Sequence, residues 1–206
     1  MKISYAITVC NEFEEIQKLI PFLLENKREE DEIVIQQDNT NLDGAVYTYL
    51  AGQKLKDNIK FIQFPLNKDF SQFKNNLTDN CTGDYIFQID ADEMPTTYML
   101  DMIPEVLKHN DVDVLKVPRI NTVEGLTQEH VDKWNWNVNN QGWVNFPDFQ
   151  WRVYKNDNKI KWKNPVHEVL DGYQTISYLP INEEWCFRHH KVIEKQEQQN
   201  KLYEGL

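Results

Sequence analysis

Apolar and polar positions in the first 120 residues alternate between two periods. Ile3 to Val9 (ISYAITV) is an almost unbroken β-branched apolar run, the pattern of a strand covered on both faces. Behind it Phe13, Ile16, Leu19, Ile20 and Leu23 recur at helical spacing, with Asn11 as the expected cap and Pro21 as a point where the helix kinks or ends. The same alternation then repeats. DEIVIQQ (31–37) predicts a second strand that runs into the turn-rich loop DNTNLDG, and AVYTYLAGQKL (45–55) a second helix. NIKFIQF (58–64) predicts a third strand. Residues 69–83 predict a polar helix capped by Asp69 or Ser71 and stopped by Gly83. DYIFQID (84–90) predicts a fourth strand, residues 96–110 a helix, and DVDVLKVPRI (111–120) a fifth strand. Strands separated by helices in this order predict an α/β fold: a Rossmann-like, mostly parallel central sheet with right-handed crossovers and helices on both faces.

After Asn121 the texture changes. Tryptophan and asparagine become frequent (WNWNVNNQGW), QWRVYKNDNKIKW reads as two short strands around an Asn-Asp-Asn turn, and HHKVIEKQEQQNKLYEGL as a polar helix or tail. The 206 residues suit one core, so the expectation is a single domain, 1–206. Its regular half is 1–120, and 121–206 is an irregular, aromatic-rich half ending in a helix.

Charge narrows the partners. Thirty-three acidic against 22 basic residues give a net charge of −11, which repels nucleic acid and anionic lipid. A phosphate-bearing ligand faces the same repulsion unless a cation or a few placed basic groups help. Three unpaired cysteines, an N-terminus without the features of a secretory signal, and the lack of any run of about 20 apolar residues predict a cytoplasmic protein with no membrane span.

In open α/β sheets ligands sit beyond the carboxyl ends of the strands. The residues at those ends are Asn11 and Glu12, Asp38, Asn67 to Asp69, and Asp90 and Asp92. Asp90 and Asp92, two apart, share a face of an extended strand and can converge on a hard cation such as Mg²⁺ or Mn²⁺. The competing reading of that stretch is a solvated acidic turn, with Glu93 serving the N-terminus of the helix near Pro95.

Taken together, ITVCNE, QDNTNLDG, DFSQFKNN and GDYIFQIDADE resemble the inverting GT-A glycosyltransferases of family 2, nearest to the lipopolysaccharide core-type subgroup, and WRVY and NPVHEVL extend the likeness to about residue 170. The resemblance implies a nucleotide-sugar site that includes Val9, Asn11 and Glu12, with Asp38 on the nucleobase, and Lys74 and Asn75. It also implies Asp90, Ala91 and Asp92 on the ribose and the metal-bound diphosphate. Mn²⁺ or Mg²⁺ would be held by Asp92, Asp90 and His189. A UDP- or GDP-sugar donor and a glycan or lipid-linked saccharide acceptor are implied as partners. The family's Arg-Asn appears here as Lys74-Asn75, and lysine lacks arginine's bidentate fork; the loop serine is Asn41.

Sugar transfer also needs a group to take the acceptor proton. Glu168 leads for that role and Asp148 follows, with His167, Arg152 and Trp143 expected beside the acceptor or diphosphate. His189 and His190 compete for the cation. Trp134, Trp136 and Trp143 are candidates for sugar stacking on a mobile loop, whereas most of the six tryptophans are expected in the core. Two other functions would use the same acidic rim. A nucleotidyltransferase or phosphohydrolase calls for a glycine-rich loop after the first strand, which CNEFEE lacks, and a non-catalytic carbohydrate-binding protein would have no need of Asp90, Asp92 and Glu168 together.

Overall fold

The computed structural model describes residues 1–53 and 59–204. The expected end of the second helix, residues 54 and 55, and the first residue of the third strand, Asn58, lie outside the described residues.

The predicted βα series is present. Strands β1 (Ile3–Val9), β2 (Glu32–Asp38), β3 (Ile59–Phe64) and β4 (Tyr85–Asp90) are parallel and lie in the order β3-β2-β1-β4. Helices α1 (Phe13–Asn26), α2 (Gly44–Gln53), α3 (Phe70–Asp79) and α4 (Thr97–His109) connect or flank them. Ile16, Leu19, Ile20 and Leu23 of α1 are fully buried over Tyr5, Ile7 and Ile35, each worth roughly 1.5–3 kcal/mol. The α1, α2 and α4 helices cover this face of the sheet; α3 covers the other, where Leu77 meets Ala6, Val34 and Ile86. Pro21 does not end α1, which runs through it to Asn26. The α1 cap is Glu12 rather than Asn11, and the α3 cap is Asp69, whose carboxylate accepts from Gln72 N at 2.9 Å. Gly83 lies beyond the end of α3 and does different work. Its N–H donates to Ser4 Oγ at 2.8 Å, and a Cβ there would come within 2.6 Å of Ser4 N.

The second half departs further from expectation. A short β5 (Glu93–Met94) precedes α4, and β6 (Val114–Glu124) does not neighbour β4. Between them lies β7 (Val144–Lys155), antiparallel to both, which interrupts the parallel series; it contains the first of the two strands expected around the Asn-Asp-Asn turn but begins six residues earlier, at Val144 instead of Gln150. The turn after β7 does form at residues 156–160, but β8 (Lys161–Lys163) pairs with β9 (Val169–Asp171), not with β7. A short helix, α5 (Gln128–Trp134), held by a reciprocal Thr127–His130 capping box, leads into the stretch expected to be a loop and ends on its first residue, Trp134. The other edge of β6 is shared: β10 (Ile176–Tyr178) takes its first residues and β11 (Phe187–Val192) its last, both parallel to it. Beyond β11 the expected polar helix forms as α6 (Ile193–Glu204).

One irregularity matters for the site. On β7, Val153 pairs with Leu115 and Trp151 with Lys116, so Arg152 is an extra residue in the ladder, a β-bulge. Because β1, β2, β4, β6 and β11 all run in one direction, their carboxyl ends share one rim. That rim gathers Asp38, Asp90, Asn121 and His189.

Candidate active site

One end of the rim is built from β1 and β2. Asp38, 6% exposed, accepts from Thr40 N at 2.8 Å and Leu66 N at 2.9 Å through Oδ1. These two bonds fix the carboxylate and leave Oδ2, whose hydrogen-bond partner among the described residues is the Cys10 thiol at 3.8 Å, to accept from a ligand N–H. The same thiol is pushed up to about 12 by burial and the neighbouring carboxylates of Glu12 and Asp38, so it stays protonated. Glu12 turns back onto the chain, accepting from Cys10 N at 2.7 Å and Asn11 N at 3.1 Å. Burial, the larger effect, raises its pKa against those backbone donors, and Asp92 adds to the rise. Asn11 is exposed, whereas the Val9 side chain is 3% exposed in the core and can offer a ligand only its backbone.

At the end of β4 the two aspartates separate. Asp90 accepts from Thr8 Oγ1 at 2.8 Å with one oxygen and from Arg152 Nη2 at 2.5 Å with the other. Burial works against its ionisation, but Arg152, Lys74 and the Thr8 hydroxyl outweigh it and hold the carboxyl far below the usual range. Ala91 is buried, its N–H donating to Thr8 O at 3.0 Å. Asp92 faces away from Asp90's partners: its Oδ2 lies 3.2 Å from His189 Nε2 and 3.8 Å from Lys191 Nζ. Its pKa is lowered as well, the His189 contact and the Lys191 charge together overcoming burial.

Beneath this rim lies an ion-pair network that the sequence did not reveal. Glu93, expected to serve the N-terminus of α4, is 1% exposed and accepts from Arg119 Nη1 at 2.8 Å and Arg152 Nη2 at 2.6 Å; the α4 cap is Thr96. Arg152, expected near the acceptor or diphosphate, is 2% exposed and committed to Asp90 and Glu93, its bulged position turning it under the rim. Its Nε finds no acceptor among the described residues. Arg119 also donates twice to Asp148 Oδ2, at 3.0 and 2.8 Å. Asp148 receives further bonds from Asn121 at 2.9 Å and Gln150 at 2.5 Å, and against burial these partners lower its pKa, which makes it a weak proton acceptor. Only a fold that brings β6 and β7 together could expose these partnerships.

Opposite Asp90 stands Lys74 of α3, 5% exposed. Its ammonium pairs with Glu168 Oε1, lies 4.0 Å from Asp90 and sits 4.6 Å above the Trp162 ring. Neighbouring Asn75 uses both ends of its amide on the Trp162 backbone, at 2.9 Å each, and so pins β8 to α3. The loop that carries Glu168 is bent by two left-handed residues, Asn164 (φ 72°) and His167 (φ 55°), and is tied to α3 by Phe70 N donating to Pro165 O at 2.9 Å. His167 is exposed beside Glu168. His190 pairs instead with Thr122 at 2.9 Å and Glu124 at 3.6 Å, away from Asp92. Trp162 and Trp185 are core residues, whereas Trp134, Trp136 and Trp143 are half-buried on the segment between β6 and β7. Trp134 stacks on His130 and abuts Trp136, and Trp143 packs edge-on to Phe146.

Among the described residues no three His, Cys, Asp or Glu side chains form a metal-binding group. The protein offers a cation two donors, His189 Nε2 and Asp92 Oδ2, 3.2 Å apart. Adjacent donors of a six-coordinate ion at about 2.1 Å stand roughly 3.0 Å apart, so this pair fits a divalent cation that takes its other ligands from phosphate and water. Asp90, both oxygens committed, is not part of that pair.

The profile of the family described as "Glycosyl transferase family 2" matches residues 4–181. The chain belongs to glycosyl transferase family 2. This family 2 chain shares its GT-A architecture with solved structures of S. aureus TarS. Full TarS superposes with a TM-score of 0.65 at 15% identity, covering 92% of this chain and 37% of that one. TarS 1-349 in complex with UDP-GlcNAc gives 0.64 at 16% identity over 93% and 59%, and the complex with UDP 0.63 at 15% over 92% and 60%. The family 2 chain therefore spans less than two thirds of either TarS form. No curated protein sequence matches it. Among the described residues no helix is long and apolar enough to cross a membrane.

Proposed function

We propose that this chain is an inverting glycosyltransferase that moves a sugar from a nucleotide-diphosphate donor, a UDP-sugar by analogy with the TarS complexes, to a hydroxyl of a glycan or lipid-linked saccharide. The observation that carries the reading is the meeting of Asp38, Asp92 with His189, and the Lys74–Glu168 pair on one rim of a family 2 sheet. In this reading Asp38 accepts from the nucleobase through its spare oxygen. A divalent cation on Asp92 and His189, once bound, neutralises the departing diphosphate. Lys191, beside Asp92, adds a fixed positive charge at that end. Glu168 takes the acceptor proton with the oxygen that Lys74 does not hold, and Lys74 fixes its direction. In this reading the half-buried Trp143, just before β7 and packed on Phe146, lies on the acceptor side.

Thermal melting in the presence of UDP, GDP, CMP and ADP, with and without Mn²⁺, tests this reading. UDP with Mn²⁺ at a hundredfold excess over its Kd raises the melting temperature by about 5–10 °C. No shift with any nucleotide, metal present or absent, would sink the proposal.

A further inference from the structure

The His189 ring lies between two oxygens. Nδ1 is 2.6 Å from Asn121 Oδ1, and Nε2 is 3.2 Å from Asp92 Oδ2. The orientation of the Asn121 amide is fixed by its other end. There Nδ2 lies 2.9 Å from Asp148 Oδ2, a carboxylate oxygen that can only accept. The NH₂ group must therefore point to Asp148 and the carbonyl to His189. A carbonyl oxygen also only accepts, so at 2.6 Å the hydrogen between Asn121 and His189 belongs to Nδ1. Asp148 in turn cannot rotate, because Arg119 and Gln150 hold both its oxygens and Arg119 is anchored on buried Glu93.

We propose that Asn121 is a positioning residue. Braced by Asp148, it assigns the ring hydrogen of His189 to Nδ1 and turns Nε2 onto Asp92 as the nitrogen half of the cation site. The ligand half of this inference rests on the cation reading given above; the ring-hydrogen half does not. It also gives Asp148 a role other than proton acceptor, as the support of an amide that supports a ligand. A free imidazole could place its single hydrogen on Nε2 and donate it to Asp92, which would block that nitrogen to a metal. The Asn121 carbonyl removes this option. Partners of this kind behind a metal-binding histidine set its tautomer and ring orientation.

Imidazole nitrogen NMR of labelled protein, metal-free and with Mg²⁺ and UDP, reads the ring hydrogen directly, and Mn²⁺ EPR in the presence of UDP reads affinity. In the unaltered protein Nδ1 of His189 bears hydrogen in both states, and with Mg²⁺ bound Nε2 is bare. In Asn121→Leu the hydrogen moves to Nε2 and Mn²⁺ binding weakens by roughly 10–100-fold. Asn121→Asp keeps an acceptor opposite Nδ1 and so restores the hydrogen to that nitrogen, while it exchanges the amide's bond to Asp148 for two facing carboxylates and lowers the melting temperature. A role confined to packing would lower the melting temperature of both variants without moving the hydrogen. A bare Nδ1 in the unaltered protein overturns the proposal, and so does a folded Asn121→Leu with ring hydrogen and Mn²⁺ affinity unchanged. If the unaltered protein binds no Mn²⁺, the cation reading falls with the ligand half, while the ring hydrogen still decides whether Asn121 sets the tautomer.

Discussion

Two carboxylates competed for the role of base in the sequence, and their surroundings separate them. Glu168 has one oxygen held by a single lysine on a bent, tethered loop; Asp148 is ringed by donors from Arg119, Asn121 and Gln150. Glu168→Gln is expected to lower kcat by roughly 10²–10⁴-fold while the nucleotide-dependent rise in melting temperature is retained. Asp148→Asn is expected to keep more turnover than Glu168→Gln and to lose roughly 1–3 kcal/mol of stability, read by denaturant unfolding. The reverse ranking of the two turnover numbers would assign the base to Asp148. The acids at the ends of β1, β2 and β4 were legible because each follows directly on a recognisable strand. Glu93, Arg119 and Asn121 were not, since their partners are remote: Arg119 meets Asp148 across 29 residues, and Asn121 meets His189 across 68. No spacing rule reaches that far.

Among the elements, the regular half was readable because each strand and helix carries its own period. Only the second part of β7 was readable, as the strand in QWRVY: Pro147 and Asn145 disguise its first residues, and its place between β4 and β6 depends on antiparallel pairing with both. The bulge at Arg152 was equally hidden, although a phase slip in the alternation around residues 151–153 is its trace in the sequence. Gly83 shows the opposite case, a motif residue recognised without its physical reason. It lets β4 start against Ser4 of β1 at a distance no Cβ allows. Gly83→Ala is expected to destabilise by roughly 1–3 kcal/mol through forced displacement of that strand end, measured by urea unfolding. An unchanged midpoint would show that the β1–β4 start yields easily. The same corner holds Glu32, which accepts from Ser4, Thr82 and Lys2 at 2.5–2.9 Å.

For the whole molecule, a surplus of acids makes low pH the informative direction. Burial opposes the ionisation of Glu32, yet its hydrogen bonds bring its folded pKa to about 2, and the Lys155 pair with backbone donors does the same for Asp113. Both values lie below the ordinary carboxylate range, so the stability these groups contribute is complete above that range. It is lost as pH falls from about 4.5 towards about 2. Glu32→Gln should therefore be less stable than the parent near neutrality by roughly 1–3 kcal/mol, and the gap should close through that acid window when melting is followed against pH. A gap independent of pH would remove Glu32 as its source. At this scale the α/β class was plain in the sequence, whereas the closure of the sheet was not, because β11 enters between β6 and β5 from the far end of the chain. That late strand sets an order of events. On a growing chain Asp92 exists long before His189 does, and the β5 residues Glu93 and Met94 meet β11, their partner strand among the described residues, only once Arg188 and His189 have been made. The parallel half can take shape while the proposed cation site is still missing one wall, so the newly made protein would acquire that site only as β11 docks.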